Sequence, residues 1–231
     1  MIISKDNLKI KHLIKLKQKK YQTEFDEFLV FGEHLIEEAN KYNLIKEIYT
    51  TNNQKSGTLI SKEIMKQISF TESPSERVAV VKKSVLNIKS DKILILEDVQ
   101  DPNNVGALLR SASAFGFKEV YLSEKSADIY NDKVIRASQG SIFQLKIERL
   151  NVIEKIKELK VKGFNIYVTL LNGDESISFD EKAVLVLGNE GSGVSSEVIA
   201  LADKKITIKT STVESLNVVV AGSILMYLGG K

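Results

Sequence analysis

Three short stretches hold most of the side chains able to do chemistry. Asn104, Gly106 and Arg110 fall within one predicted helix; Glu190 stands in Gly188-Asn189-Glu190-Gly191-Ser192-Gly193; Ser215 and Asn217 close the series in Glu214-Ser215-Leu216-Asn217. Arginine presents a planar, permanently charged fork that matches a phosphate. Glycine is a poor residue for a helix's first turn, so Gly106 reads as a point where a phosphate comes close to the backbone. The glycine-rich loop follows the apolar run Ala183–Leu187, and the carboxyl end of a buried strand is where doubly wound folds bind ligands. Glu190 has no packing purpose amid glycines and is therefore a candidate site residue. The loop is not a dinucleotide fingerprint, because Ser196 stands where the third glycine is needed, and no P-loop occurs. Ser215 and Asn217 have two readings, as site residues or as caps of a terminal helix.

The elements that would position these residues follow from hydrophobic period. Ile93–Leu96 reads as a buried strand and Glu97–Asn103 as a turn fixed by Pro102, with Asn104 as helix cap. Val105, Leu108, Leu109, Ala112 and Phe115 form one stripe, Gly116 ends the helix, and Phe117–Leu122 resumes as strand. Strand, turn, helix, strand is the shape of a parallel crossover. Downstream, residues 131–140 read as a loop and helix start carrying Lys133 and Arg136, followed by a strand at 142–147. Val152, Ile153, Ile156 and Leu159 mark a helix stopped by Gly163, and strands are expected at 164–170, 183–187 and 206–208. Ser195 caps a helix with Glu197 early and Lys204 and Lys205 late, the charge order its dipole prefers. The tail 217–228 contains Val218-Val219-Val220, which propensity alone assigns to β.

Upstream, Ser4 is expected to cap a helix reaching Lys20, with Leu8, Leu13 and Leu16 inward. Strands at 28–31, 45–49 and 78–81 then alternate with helices at 33–42 and 61–68, which suggests a small α/β/α domain. The polar segment 84–92 is the expected linker, dividing the chain into 1–88 and 89–231. Residues 1–88 hold 15 Lys and Arg against 11 Asp and Glu, and 89–231 hold 18 against 19, so the excess positive charge lies at one end. Seven lysines and one acid fall in the first twenty residues. Lys9, Lys11, Lys15 and Lys19 are read as a phosphate-binding arm, since lysines meeting a nucleic-acid backbone release counterions.

Composition narrows the chemistry. With no cysteine in 231 residues, disulfides, thiolate metal sites and cysteine nucleophiles are excluded, and with them methylation of pyrimidine carbon 5. His12 and His34 lie far from the three stretches and form no metal-ligand pair. No apolar run reaches the length of a membrane span, and no signal-peptide core precedes the first lysines. A cytoplasmic protein without metal or membrane partners is the expectation.

The spacing Asn104-x-Gly106-x-x-x-Arg110 resembles the first motif of the SpoU (TrmH-type) 2′-O-ribose RNA methyltransferases of the SPOUT superfamily. Residues 187–195 resemble the second motif and 214–221 the third, in the right order, and the family also carries a segment like 130–141. Two departures stand out: Phe31 occupies a position where the N-terminal domain often has Glu, and Ile206–Thr212 is one residue shorter than the usual loop. The resemblance implies an α/β fold: a C-terminal SPOUT domain with a mainly parallel sheet and a trefoil knot, preceded by a small ribosomal-protein-like α/β/α domain. It implies S-adenosyl-L-methionine (AdoMet) as cofactor, held by Leu187, Gly188, Asn189, Ile208, Ser215, Leu216 and Asn217. Asn104, Arg110, Glu190, Ser215 and Asn217 would form the catalytic set, with Arg110 holding the target phosphate and helping to activate the hydroxyl. Lys133 and Arg136 would join the N-terminal lysines on RNA. The expected partners are RNA, ribosomal in preference to transfer RNA, and a second copy of the chain, and the tail is expected to be helical. The rival expectations are a noncatalytic RNA-binding or assembly factor that kept the knotted fold, and an α/β enzyme using another nucleotide cofactor.

Overall fold

A computed structural model describes residues 1–213 and 215–230. Glu214, the first residue of the third motif, and Lys231 lie outside the described residues. The chain divides into two compact units, Met1–Ser84 and Val85–Lys231.

The first unit runs α1 (Leu8–Lys15), α2 (Lys19–Phe25), β1 (Glu27–Phe31), α3 (Glu33–Lys41), β2 (Ile45–Thr50), β3 (Thr58–Leu59), α4 (Lys62–Ile68) and β4 (Arg77–Lys82). Its strands lie in the order β1-β4-β2-β3, with β4 antiparallel to both neighbours and β2 parallel to β3. One N-terminal helix was expected where two form. Asn7, not Ser4, caps α1 by accepting from the amide of Lys9 at 2.9 Å, and the helix stops at Leu16. This start turns Ile10, Leu13 and Leu16 into the core, while Leu8, expected inward, is 84% exposed. Ser61 caps α4 as expected. His12 meets the buried carboxylate of Glu27 at 2.7 Å, a structural pairing.

The second unit runs β5 (Lys92–Leu96), α5 (Pro102–Ala114), β6 (Glu119–Leu122), α6 (Asp132–Ser138), a 3-10 turn at Ser141–Phe143, β7 (Lys146–Arg149), α7 (Val152–Val161), β8 (Asn165–Asp174), β9 (Ala183–Leu187), α8 (Ser196–Leu201), β10 (Lys204–Ile206) and α9 (Val218–Gly229). Among the described residues the sheet order is β10-β8-β9-β5-β6-β7, and every neighbouring pair is parallel. Both faces of such a sheet must be covered, which is why β5 and β9 are almost entirely apolar. Val152, Ile156, Leu159 and Val198 of α7 and α8 close one face over Ile93, Ile95, Val184 and Val186. On α9, Gly222 admits Leu187 of β9 and Leu108 of α5, whose methyl groups would lie 2.6 and 2.7 Å from an added Cβ.

Several expectations need correction here. Asp101 caps α5, accepting from the amide of Asn103 at 2.8 Å, and Pro102 is the first residue of the helix, where its missing N–H costs nothing. Asn104 is therefore inside the first turn and its side chain is free for another task. The strand expected at 142–147 begins only at Lys146, because Gly140 in the left-handed region (φ 88°) turns the chain into the 3-10 segment. Helix α8 ends at Leu201, so Lys204 and Lys205 belong to β10, not to the helix. The tail is helical as expected, capped by Asn217.

The link from β8 to β9 is unusual for parallel neighbours. Ala183 pairs beside Asn165, the first residue of β8, so residues 175–182 must run back the full length of the strand. At about 3.3 Å per residue that return leaves no room for the usual crossover helix. The strap is tied down by Asp180, whose carboxylate accepts from Tyr167 at 2.6 Å and Asn165 at 2.9 Å, and whose carbonyl accepts from Lys92 at 2.7 Å. Phe179 of the strap lies against Gly229 of α9, so the C-terminal helix is tucked beside a closed loop of chain.

Candidate functional site

The three motifs meet at the carboxyl ends of β5 and β9. At the end of β9, Gly188 lies so close to the returning loop that an added Cβ would sit 2.3–2.4 Å from the backbone of Gly193 and Val194. Asn189 and Gly193 exchange backbone hydrogen bonds at 3.0 and 2.9 Å, closing the loop. The Asn189 side chain is consumed in building it: its carbonyl accepts from the amides of Gly191 and Ser192 at 2.9 and 3.0 Å, and its amide donates to the carbonyl of Asp98 at 2.8 Å.

Glu190 does have a structural purpose. Its carboxylate accepts from the side-chain amide of Asn104 at 2.9 Å and from the backbone amides of Asp101 and Gln100 at 3.2 and 3.3 Å. It therefore staples the glycine loop to the first turn of α5. Partial burial alone would raise its pKa, but the Asn104 bond and the backbone amides, its own included, outweigh burial and hold the carboxyl below its ordinary value.

Beside this staple lies a cavity of about 710 Å³. It is lined by Leu187, Gly188 and Glu190, by Ile206 and Ile208, and by Ser215, Leu216 and Asn217. The size is that of a cofactor pocket. Its walls expose polar as well as apolar surface, which suits a ligand carrying a flat heterocycle and a polar tail. Asn217 accepts from the amide of Val219 at 2.8 Å as the cap of α9, so one residue both starts the helix and faces the cavity. The loop 206–212 forms a wall, through Thr207, whose hydroxyl donates to the carbonyl of Leu171 at 3.1 Å.

Arg110 is placed differently. It sits near the middle of α5, exposed, with no hydrogen-bond or ion-pair partner among the described residues, and it does not line the cavity. Gly106 is also not what its position suggested. An added Cβ there would lie 2.6 Å from Ala137 and from the carbonyl of Val134, so the close approach it permits is that of helix α6, not of a phosphate. Arg136, exposed on α6, is held by Asp132 at 2.8 Å, and Lys133 is exposed beside it. In the first unit Lys9 pairs with Glu47 and Lys11 with Asp6, both at 3.0 Å, Lys15 lies 5.2 Å over the ring of Tyr21, and Lys19 opens α2.

Glu97 was missed as a functional residue. It is buried at the end of β5 and accepts from the hydroxyl and amide of Ser195 at 2.6 and 2.9 Å, locking the far end of the glycine loop to the same strand. Its only signal in the sequence was an acid directly after an apolar strand. Among the described residues no group of three His, Cys, Asp or Glu side chains is placed to hold a metal, and no helix is long and apolar enough to cross a membrane.

Comparison with known proteins adds to this geometry. Residues 91–227 match the model of the SpoU rRNA methylase family, and residues 7–79 match the MRM3-like substrate binding domain. The 23S rRNA (guanosine(2553)-2′-O)-methyltransferase RlmP of Bacillus subtilis is 34% identical, over 98% of this chain and 97% of that protein. The tRNA (guanosine(18)-2′-O)-methyltransferase of Aquifex aeolicus is 36% identical, over 60% of this chain and 68% of its own. The structure of an AdoMet-bound rRNA methyltransferase from Sinorhizobium meliloti superposes with a TM-score of 0.85 at 23% identity, covering 98% of this chain and 95% of that one. The SPOUT α/β fold expected from the motifs is the fold of these neighbours.

Proposed function

The chain belongs to the SpoU rRNA methylase family, and on that footing we propose that it moves a methyl group from AdoMet to a ribose 2′-hydroxyl of ribosomal RNA. The observation that carries the reading is the match to RlmP along essentially the whole of both chains, substrate-binding unit included. The transfer RNA enzyme covers a smaller share of this chain, which favours a ribosomal substrate.

The cavity fits AdoMet: a Cβ at Gly188 has nowhere to go, the walls expose both polar and apolar surface, and the volume of about 710 Å³ is adequate. Leu187, Gly188, Ile208 and Leu216 would hold the cofactor through main chain, with Asn189 shaping the loop around it. When bound, AdoMet supplies an electrophilic methyl on sulfonium, so the protein's task is chiefly to align the acceptor oxygen. Arg110 holds the phosphate next to the target ribose and lowers the cost of forming the alkoxide. Glu190 keeps Asn104 and the start of α5 in register with the glycine loop, and Ser215 and Asn217 border the acceptor. The lysines at 9, 11, 15, 19 and 133, with Arg136, contribute phosphate contacts that add affinity rather than sequence choice.

A homodimer is part of the proposal. Val220, Ile224 and Leu228 of α9 are 39–48% exposed and fall at i, i+4 and i+8, an apolar stripe that one copy leaves partly exposed. Ser223 of this helix bonds Ser111, the neighbour of Arg110, at 2.7 Å, so a second copy covering the stripe would stand beside the arginine and give it a site to complete. A cytoplasmic location accords with this substrate. The test is incubation of purified protein with methyl-tritiated AdoMet and separated RNA fractions. Label in large-subunit ribosomal RNA is expected, and label confined to transfer RNA would overturn the substrate assignment.

A further inference from the structure

In the first unit one exposed aromatic ring is held far more firmly than its position requires. Phe70 follows α4 and is 39% exposed. A single exposed apolar side chain is ordinary; what distinguishes this one is its setting. The amide of Thr71 donates to the hydroxyl of Ser69 at 3.1 Å, fixing the turn that carries the ring. From the end of α1, Lys17 donates to the carbonyls of Ser69 at 2.8 Å and Gln67 at 2.9 Å, and its ammonium lies 5.3 Å from the Phe70 ring centre. Phe31 meets the ring edge to face, 5.8 Å between centres at 85°. Phe31 itself packs on the core of this unit, so the ring rests on a rigid base.

We propose that Phe70, backed by Phe31 and Lys17, is a stacking platform for an unpaired base of the substrate RNA. The inference rests on the RNA-methyltransferase reading and deepens it by naming what the first unit grips: a single-stranded nucleotide. An aromatic face accepts any base, because every base has a π surface. Lys17 is the charge placed against the ring, and it belongs to the stretch in which seven lysines face a single acid within twenty residues, which suits the attached phosphates. The loop is ordered before RNA arrives, so little further ordering opposes binding.

The chain contains no tryptophan, so Phe70→Trp places a single, selectively excitable indole at the platform. Titration of this full-length variant with an oligoadenylate of about twelve nucleotides is expected to quench its fluorescence, whereas heparin, which offers charge without bases, should bind without quenching. Phe70→Ala should weaken oligoadenylate binding on the order of ten- to a hundred-fold, and Phe70→Leu, which keeps the apolar contacts but not the ring, should weaken it nearly as much with unchanged melting temperature. Oligoadenylate binding that leaves the indole unquenched, no binding to the oligonucleotide, or wild-type affinity in Phe70→Ala would each overturn the platform. Failure of the methyltransferase reading is distinguishable: quenching would persist while wild-type protein transferred no tritium to RNA.

Discussion

The two ends of the parallel sheet each carry a cavity, and they use polar groups in opposite ways. At the amino end, a space of about 510 Å³ is lined by Lys146, Lys155, Glu119, Tyr121 and their neighbours. Those groups are spent on one another. Buried Glu119 accepts from Tyr121 at 2.6 Å, from the amide of Ser90 at 2.8 Å and from Lys146 at 3.2 Å, while Lys155 lies 4.5 Å over the Tyr121 ring. At the carboxyl end, Glu190 and Glu97 are likewise satisfied, but they are used to tie the glycine loop to α5 and β5, and the cavity beside them keeps polar as well as apolar surface exposed. A cavity is a binding site when its framework is satisfied and its surface is not.

Substitutions at the two ends should therefore separate. The largest effect is expected for Gly188→Ala, where the new Cβ must displace the Gly193 backbone. The overpacked loop should cost ~1–3 kcal/mol of stability and, by shifting the cofactor wall, lower turnover on the order of a hundred-fold. Denaturant melts and calorimetry with AdoMet would measure both. Retained AdoMet affinity in a folded variant would remove the cradle from the account.

Next is Arg110→Lys. A point charge cannot replace the planar fork on a phosphate, so kcat should fall on the order of ten- to a hundred-fold with AdoMet affinity unchanged. Near-normal turnover would contradict the role.

Smaller again is the staple. Asn104→Ala and Glu190→Gln should each reduce kcat about five- to ten-fold, the scale of one lost hydrogen bond, and the double variant should be little worse than either single one. Full additivity would mean that the two residues do not act through each other.

The smallest effect on methyl transfer is expected at the amino end, where Glu119→Gln should leave turnover intact and cost ~1–3 kcal/mol of stability. Burial raises the Glu119 pKa, but the bonds from Tyr121, the Ser90 amide and Lys146 more than offset it, so the net shift is downward from 4.5. A carboxylate depressed in the folded state binds fewer protons folded than unfolded, so its stabilisation is complete above the unfolded pKa and is lost as pH falls through the folded one. The melting temperature of wild type should therefore drop below pH 4.5 more steeply than that of Glu119→Gln. Parallel curves would show that the carboxylate contributes nothing through its ionisation.

The two ends also differed in how far the sequence revealed them. Strand β9 and its glycine loop were legible because a central parallel strand is apolar throughout and the break after it is abrupt. The two-residue strand β3 left no periodic signal, and the break between α1 and α2 was hidden by lysines that suit helix and turn alike. Propensity placed Val218–Val220 in a strand, and tertiary packing of Gly222 against Leu187 and Leu108 made it helix. Gly106 was noticed for the right oddity and given the wrong cause, since close helix packing looks the same in sequence as a ligand site, while Glu190, which lines the cavity, also proved to be a staple between two loops. Arg110 stayed exposed in the structure with no ion-pair partner for its guanidinium among the described residues, which leaves it open to a phosphate.

The central claim is methyl transfer to a ribose oxygen by way of the carboxyl-end cradle. The most direct measurement is mass spectrometry of nucleosides digested from ribosomal RNA after incubation with AdoMet carrying a deuterated methyl group. The account predicts the label on the sugar, as a 2′-O-methylnucleoside, with wild-type protein and its loss with Gly188→Ala. Label on a base, or no label with wild-type protein that binds both AdoMet and RNA, would contradict it.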